Sequence, residues 1–514
     1  MNKTFKTKWS SSRQQYIVTD EKRILKGKAS KNTVTLAIAA VLAIASGTSA
    51  AAYVEKGVVG NQASWESAEY QKDWGLAAMN ASSAYSLGFS GQNVAVGVMD
   101  SGALLQKHPE LAGNRFHASS AQGKYGSTGN RYQTGVRGIG DVFKNGDYTE
   151  GESFNLDGNF IAEKNDTHGT HVTGTVGANR DGSEFHGVAW GANVYVGNSG
   201  GTDNTNYGPF QDYKYFHAAW SSLAQDLIAA NGTERGGVIN NSFGTNLRYG
   251  ASGGTSLPVN STAQTEYEYF LFKQVYGDKK TFVDAAWDAV KGTNVVQVFT
   301  TGNRDFANPY YRPLYPYFSP EAERNWIAVA GLQKDGVGTD GKDTYKWISN
   351  FNEAGNAKWW TIAAPGRDIY SSIVYDDHYE DTDALHPLGT PGYASYGGTS
   401  MAAPHVSGAM TVLMSRYQDM NAIQVRDILF TTARHTNTDG SLFTGWTAED
   451  GVPDVLYGWG TPDLDKGMFG PSQLLGKFEY KVNNLDVWSN DISQKALDAR
   501  KVEDQAWMKA TTNG

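Results

Sequence analysis

The stretch YGGTSMAAPHVSG at residues 396–408 holds three glycines, serine and threonine hydroxyls, a proline and a histidine at the opening of an apolar helical pattern. A serine attacks a carbonyl only when a base takes its proton and a third group holds that base. Ser400 opens the helical pattern, and a helix's first turn has backbone N–H groups with no intrahelical acceptor, suited to an incoming oxyanion. Pro404 is tolerated there because first-turn amides lack intrahelical partners. Gly397 and Gly398 permit a tight entry and close approach of substrate. The candidate base lies in NDTHGTHVTGTVGA, residues 165–178. Val172 and Val176 have the i,i+4 spacing of a buried helical stripe, Gly169, Gly174 and Gly177 allow close packing, and Asp166 or Thr167 can cap the start. His168 then sits in the first turn, facing away from that stripe. His171 invites a metal reading, but a helical zinc protease needs His-Glu-x-x-His, which the sequence lacks. His171 is expected to be a packed, hydrogen-bonded histidine. Asp100 ends the apolar run of QNVAVGVMDSG (92–102), where an Asp taken alone reads first as a turn cap. Asn303 follows the apolar run of VVQVFTTGNRD (295–305). Alone it reads as a turn residue, and beside a nucleophile as an oxyanion donor.

These residues can meet only if the elements ending in them face one cleft. Open parallel sheets place their sites beyond the carboxyl ends of the strands. Apolar runs at 92–102, 193–197, 237–240, 292–303 and 325–332 read as short buried strands. Helix-like segments such as 281–290 separate several of them. This alternation predicts an α/β fold with a central parallel sheet between helices. Polar stretches at 116–165, 200–215, 249–264 and 375–391 show little periodicity and are expected to be surface insertions. After YGWGTPDLDKGMFG the character changes, which places a boundary near Gly470.

The chain has 514 residues, room for one large catalytic domain with additions or for two to three ordinary domains. Its formal charge of −9, with no basic block, argues against nucleic acid as a partner. Cysteine is absent, so thiol catalysis, disulfides and thiolate metal sites are excluded. Lys22, Arg23, Lys26, Lys28 and Lys31 precede the apolar TVTLAIAAVLAIASGTSAAA, which ends in small residues. That is the pattern of an export signal cleaved after Ala50 or Ala52.

At these windows the sequence resembles the subtilisin-like serine proteases. VAVGVMDSG, HGTHVTGTVGA, INNSFG, TTGN and GTSMAAPHVSG follow the family's order, and AAPGRDIYSS and YGWGTPDLDKG match its later elements. The resemblance covers residues 65–470 and implies a subtilisin-like three-layer α/β fold with long surface loop insertions. It implies that Asp100 orients the imidazole, His168 is general base then acid, and Ser400 is the acylated nucleophile. Asn303 would join the Ser400 N–H in an oxyanion hole. Ser242, Phe243 and Gly244 fall where the family's edge strand pairs with extended peptide and flanks the primary specificity pocket. His108 and His405 lie in family motifs without a part in the chemistry. Ser395, Thr399 and Ser407 do not begin the helix opposite the other pieces. As a base, His168 must be neutral, so activity is expected to fall on the acid side, around the ~6.5 of an ordinary imidazole.

The long n-region, MNKTFKTKWSSSRQQYIVTDE, is similar to the extended signal peptide of Gram-negative autotransporters. The expected organisation is an extended signal peptide (1–52), a short segment (53–64), the peptidase domain (65–470) and the start of a C-terminal region (471–514), read as truncated before any β-barrel. The implied protein is a monomer that acts on protein or peptide substrates. It is exported to the surface or medium, with an outer-membrane tie if a barrel follows. Only about fifteen residues separate Ala50 from Trp65 where secreted subtilisins carry a folding propeptide. No cofactor is required. The family's structural calcium loop would fall at NRDGSEFHG, with Asn179, Asp181 and Glu184 as oxygen ligands, but a solvated turn reads equally well, so calcium stays optional. Two rivals remain. GTSMA approaches the α/β-hydrolase Gly-x-Ser-x-Gly, though that fold wants a strand before the serine and its partners after it. A catalytically silent adhesin could use the same fold. Self-processing, or processing of neighbouring surface proteins, is a further use of the same chemistry.

Overall fold

The computed structural model describes residues 5–10, 15–20, 57–130, 147–200, 212–243, 280, 282–376, 380–449, 451–470 and 498–503. The chain divides into two compact units, Met1–Tyr53 and Val54–Gly514. In the first, Phe5–Ser10 and Gln15–Asp20 pair antiparallel, with Phe5 opposite Asp20. The apolar segment of the expected export signal lies outside the described residues.

In the second unit the strands are β1 (Ala95–Asp100), β2 (Phe116–Ala118), β3 (Asn193–Asn198), β4 (Gly237–Asn241), β5 (Val295–Thr300), β6 (Trp326–Val337), β7 (Asp343–Trp347) and β8 (Thr361–Pro365). They form one sheet in the order β7-β6-β5-β4-β1-β3-β2, with β8 also on β6. Every pairing is parallel except β6 with β7. Every residue of β1, β4, β5 and β8 is buried. Successive side chains of a strand point to opposite faces, so both faces of this sheet are covered. Helices α1 (His168–Gly177) and α4 (Thr399–Arg416) form one packed pair, and α2 (Tyr213–Asn231) and α3 (Phe282–Asp288) form the other. A further helix, α5 (Ala422–Thr432), follows α4 and opens on a capping box between Asn421 and Gln424. The buried amides in the strands are satisfied: Asn241 donates to Gln297 Oε1 at 2.9 Å and accepts from Trp220 Nε1 at 2.7 Å.

Two elements depart from the sequence-based expectation. The polar stretch from residue 116 is not wholly an insertion: Phe116–Ala118 adds an edge strand to the sheet, and Ser120–Lys124 pairs with Ser153–Asp157. Strand β6 runs 12 residues, well past the apolar NWIAVAGL. Its exposed second half pairs antiparallel with β7, so backbone hydrogen bonds rather than burial carry it on. A separate antiparallel pair, β9 (Ile369–Val374) and β10 (Pro391–Tyr396), packs against α1 and feeds directly into α4.

Candidate active site

Strand β1 ends in Asp100, whose Oδ1 accepts from the Ser101 N–H at 2.8 Å and lies 2.7 Å from His168 Nδ1. A carboxylate oxygen only accepts, so Nδ1 carries the proton and the basic nitrogen of the neutral ring is Nε2. Asp100 is buried, and His168 is only 6 % exposed.

His168 is the first residue of α1, and that turn is fixed by side chains from three places. The Thr167 N–H donates to Asp376 Oδ2 at 2.7 Å, the His168 N–H to Asp166 Oδ1 at 3.2 Å and the Gly169 N–H to Ser101 Oγ at 2.9 Å. These are amides a helix start leaves without internal acceptors. Gly169 is required by contact: a Cβ there would lie 2.2 Å from the Gly102 carbonyl oxygen. That close approach brings the end of β1 onto the start of α1. Burial raises the Asp166 carboxyl to about 7, against the lowering influence of His168.

Ser400 is the second residue of α4, which enters from β10 through Gly397 and Gly398. Its hydroxyl donates to the Ser242 carbonyl at 2.8 Å, and the Ser242 hydroxyl donates to the Ser400 carbonyl at 2.7 Å. Asn303 follows β5, and its Oδ1 accepts from both the N–H and the hydroxyl of Thr399, each at 2.9 Å. With that oxygen held, the amide nitrogen is turned elsewhere. A Cβ built on Gly398 would stand 3.3 Å from Asn303 Nδ2 and 3.6 Å from the Ser400 nitrogen. Both nitrogens therefore border one point that glycine leaves open, the arrangement an oxyanion needs.

The structure thus joins Asp100 to His168, and Asn303 and Ser242 to the start of the Ser400 helix, and packs the His168 and Ser400 helices together. The side chain of Ser242 is buried toward α4. Phe243 is buried as well, its ring beside Trp220 at 6.3 Å and under the Arg312 guanidinium at 4.5 Å. Gly244 lies outside the described residues. His171 is a packed histidine: Nε2 donates to the carbonyls of Ile369 at 3.0 Å and Ala394 at 3.3 Å, and the ring stacks on Tyr396 at 4.4 Å. Burial pushes it down to about 3, so it stays neutral. His108 bonds the Gly392 carbonyl. His405 meets buried Asp73 at 2.9 Å and the Met401 carbonyl at 2.7 Å. Its Nδ1 must donate to that carbonyl, so a proton on Nε2 makes it an imidazolium paired with Asp73; the pair raises its pKa against the opposing effect of burial.

Sequence reasoning missed Ser101, Asp376 and Asn352. Asn352 Oδ1 accepts from the Arg304 N–H at 2.9 Å, and its Nδ2 donates to the Thr301 carbonyl at 3.0 Å. It shapes the turn that carries Asn303. Asn352 follows Phe351 in the polar run SNFNEAGN, which carried no local signal of this role.

The side chains expected as calcium ligands already have partners within the protein. Asn179 Oδ1 accepts from Arg115, Asp181 Oδ1 from the Ser183 N–H, and Glu184 Oε2 from the Tyr370 hydroxyl. The loop turns the N–H groups of Asp181 and Gly182 toward Glu69 Oε1, at 3.0 and 3.2 Å. Calcium would require oxygens there, not N–H donors. Among the described residues, no group of three or more acidic or histidine side chains could hold a metal ion. Glu110 beneath this loop is fully buried, and burial raises it to about 8.

Residues 91–460 match the family model described as the subtilase family. The chain is 27% identical over 84% of its length to an extracellular serine protease of Serratia marcescens, and 25% identical over 77% to the autotransporter lipoprotein NalP of Neisseria meningitidis. It spans 37% and 34% of those relatives' lengths. Subtilisin DY of Bacillus licheniformis is 26% identical over 72% of this chain and is itself 94% covered. Among solved structures, fervidolysin from Fervidobacterium pennivorans matches at a TM-score of 0.45 with 24% identity, covering 79% of this chain and 47% of fervidolysin.

Proposed function

The chain belongs to the subtilase family, and from that premise we propose that it is a serine endopeptidase, with Ser400 as nucleophile, His168 as general base then acid, and Asp100 holding the imidazole. The observation that carries the reading is the Asp100–His168 bond of 2.7 Å on the helix that packs against the Ser400 helix. A substrate carbonyl would lie with its oxygen toward Asn303 Nδ2 and the Ser400 N–H. Ser400 Oγ leaves the Ser242 carbonyl, passes its proton to His168 Nε2 and attacks the carbonyl carbon. Negative charge develops on the oxygen between those two donors. His168 then protonates the departing amine, and the acyl-enzyme forms. In the second half, His168 takes a proton from water, the water attacks the ester, and Ser400 recovers its hydroxyl.

The substrates are proteins or peptides bound in extended form, with main-chain hydrogen bonds giving affinity. The enzyme is exported and acts at the cell surface or in the medium. The apolar segment after Lys31 and the likeness to an extracellular protease of Serratia and an autotransporter of Neisseria support that reading. It needs no metal ion, because Glu69 and Arg115 hold the loop after α1. Hydrolysis of an unfolded protein by the purified chain tests the proposal. Cleavage that survives EDTA and vanishes in Ser400→Ala is expected; cleavage retained in Ser400→Ala would refute it.

A further inference from the structure

Pro404 lies inside α4, four residues after Ser400. Proline has no N–H, so the Ser400 carbonyl lacks the helical donor it would otherwise receive, and the ring crowds that carbonyl. The nucleophile's own peptide unit is therefore the weak point of its helix. A buried carbonyl without a donor is costly and free to tilt. The Ser242 hydroxyl fills the gap, donating to the Ser400 carbonyl at 2.7 Å. Ser242 Oγ is itself aimed, because it accepts from Asn240 Nδ2 at 2.9 Å. Asn240 is held in turn by Ser407, whose hydroxyl donates to Asn240 Oδ1 at 2.9 Å. Ser242, Asn240 and Ser407 are all fully buried. The chain of bonds runs from Ser400, across to the end of β4, and back to Ser407 on the far side of Pro404. It spans the defect that proline makes.

The geometry points to Ser242 as a positioning residue for the nucleophile: its hydroxyl replaces the helix amide that Pro404 cannot supply and fixes the Ser400 peptide, with Asn240 and Ser407 orienting it. This rests on the peptidase reading. The clamp acts on the Ser400 peptide unit, which turns with Ser400 Oγ and its N–H, so loosening it misaligns attack more than it weakens binding.

The test uses the whole chain as wild type, Ser242→Ala, Pro404→Ala and the double variant. Each is followed by kcat and KM on a peptide, by the rate of acylation with a fluorophosphonate, and by thermal midpoint. Ser242→Ala should lower kcat and the acylation rate roughly tenfold, with KM within about twofold. Adding Pro404→Ala gives the Ser400 carbonyl a backbone N–H donor again, so the double variant should return to within about threefold of wild type. Rescue from the opposite side of the carbonyl is not expected of a residue that merely fills space. Wild-type kcat in Ser242→Ala would overturn the assignment. So would a folded double variant no faster than Ser242→Ala. If Ser242→Ala alone fails to fold, recovery of folding and activity in the double variant supports the clamp, and a folded but slow double variant overturns it. Wild type that is neither acylated nor able to cleave peptide would sink the peptidase reading itself.

Discussion

The starts of α1 and α4 solve opposite problems with the same kind of element. At α1 three successive N–H groups meet acceptors, from Asp376, Asp166 and Ser101. At α4 the Thr399 N–H meets Asn303 Oδ1, while the Ser400 N–H has no acceptor among the described residues. There the added side-chain bond goes to a carbonyl, that of Ser400, opposite Pro404. One start is closed, which fixes the His168 imidazole; the other keeps a donor in hand, which can receive charge. A helix N-terminus is thus a support or a binding site according to whether its amides are already matched.

Three substitutions break or sharpen that contrast, in falling order of effect, and a fourth is a control. His168→Ala removes the base and should lower kcat by roughly 10⁴-fold or more, read by peptide hydrolysis. Asn303→Ala removes one of the two donors at the open start. It should lower kcat by about 10²–10³, the scale measured for the corresponding asparagine of subtilisin, with KM little changed. Asp376→Ala acts on the closed start. Losing a cap costs about 1 kcal/mol, so a lower thermal midpoint and a several-fold lower kcat are expected, whereas a loss as large as that of Asn303→Ala would erase the distinction between the two starts.

Glu110→Gln lies outside both starts and serves as the control for the loop after α1. The Glu110 carboxyl is raised from 4.5 to about 8 in the fold. The folded state therefore binds its proton more tightly than the unfolded state. Its contribution is fully present below pH 4.5 and is lost as pH rises through 8. Relative to Glu110→Gln, wild type should lose thermal stability between those limits, with activity at pH 6 unaffected. A parallel pH dependence in the two proteins would show that Glu110 does not carry this term.

Much of this was legible in the sequence because the site lies at ends of regular elements. Asp100 and Asn303 follow buried apolar runs, and His168 and Ser400 open helical patterns, so periodicity alone placed them near the sheet's edge. The family resemblance then gave them roles. Three things were hidden. Asp376 reaches Thr167 from more than two hundred residues away, and local pattern carries no trace of such a bond. The bond from the Ser242 hydroxyl to the Ser400 carbonyl was hidden because no local pattern ties INNSFG to Pro404, the residue that leaves Ser400 in need of a donor. Calcium was left open because oxygen-bearing side chains sit in NRDGSEFHG, and sequence does not reveal that Arg115, Ser183 and Tyr370 already engage them. The edge strand Phe116–Ala118 escaped notice for a related reason: three residues are too few to show a period.

The central claim is that the open start of α4 carries the nucleophile and the closed start of α1 its base. Reaction of the whole chain with a fluorophosphonate, followed by mass mapping of the modified peptide, tests it most directly. The account predicts one adduct, on Ser400, formed slowly in His168→Ala and absent in Ser400→Ala. An adduct on another hydroxyl, or equal labelling with and without His168, would contradict it.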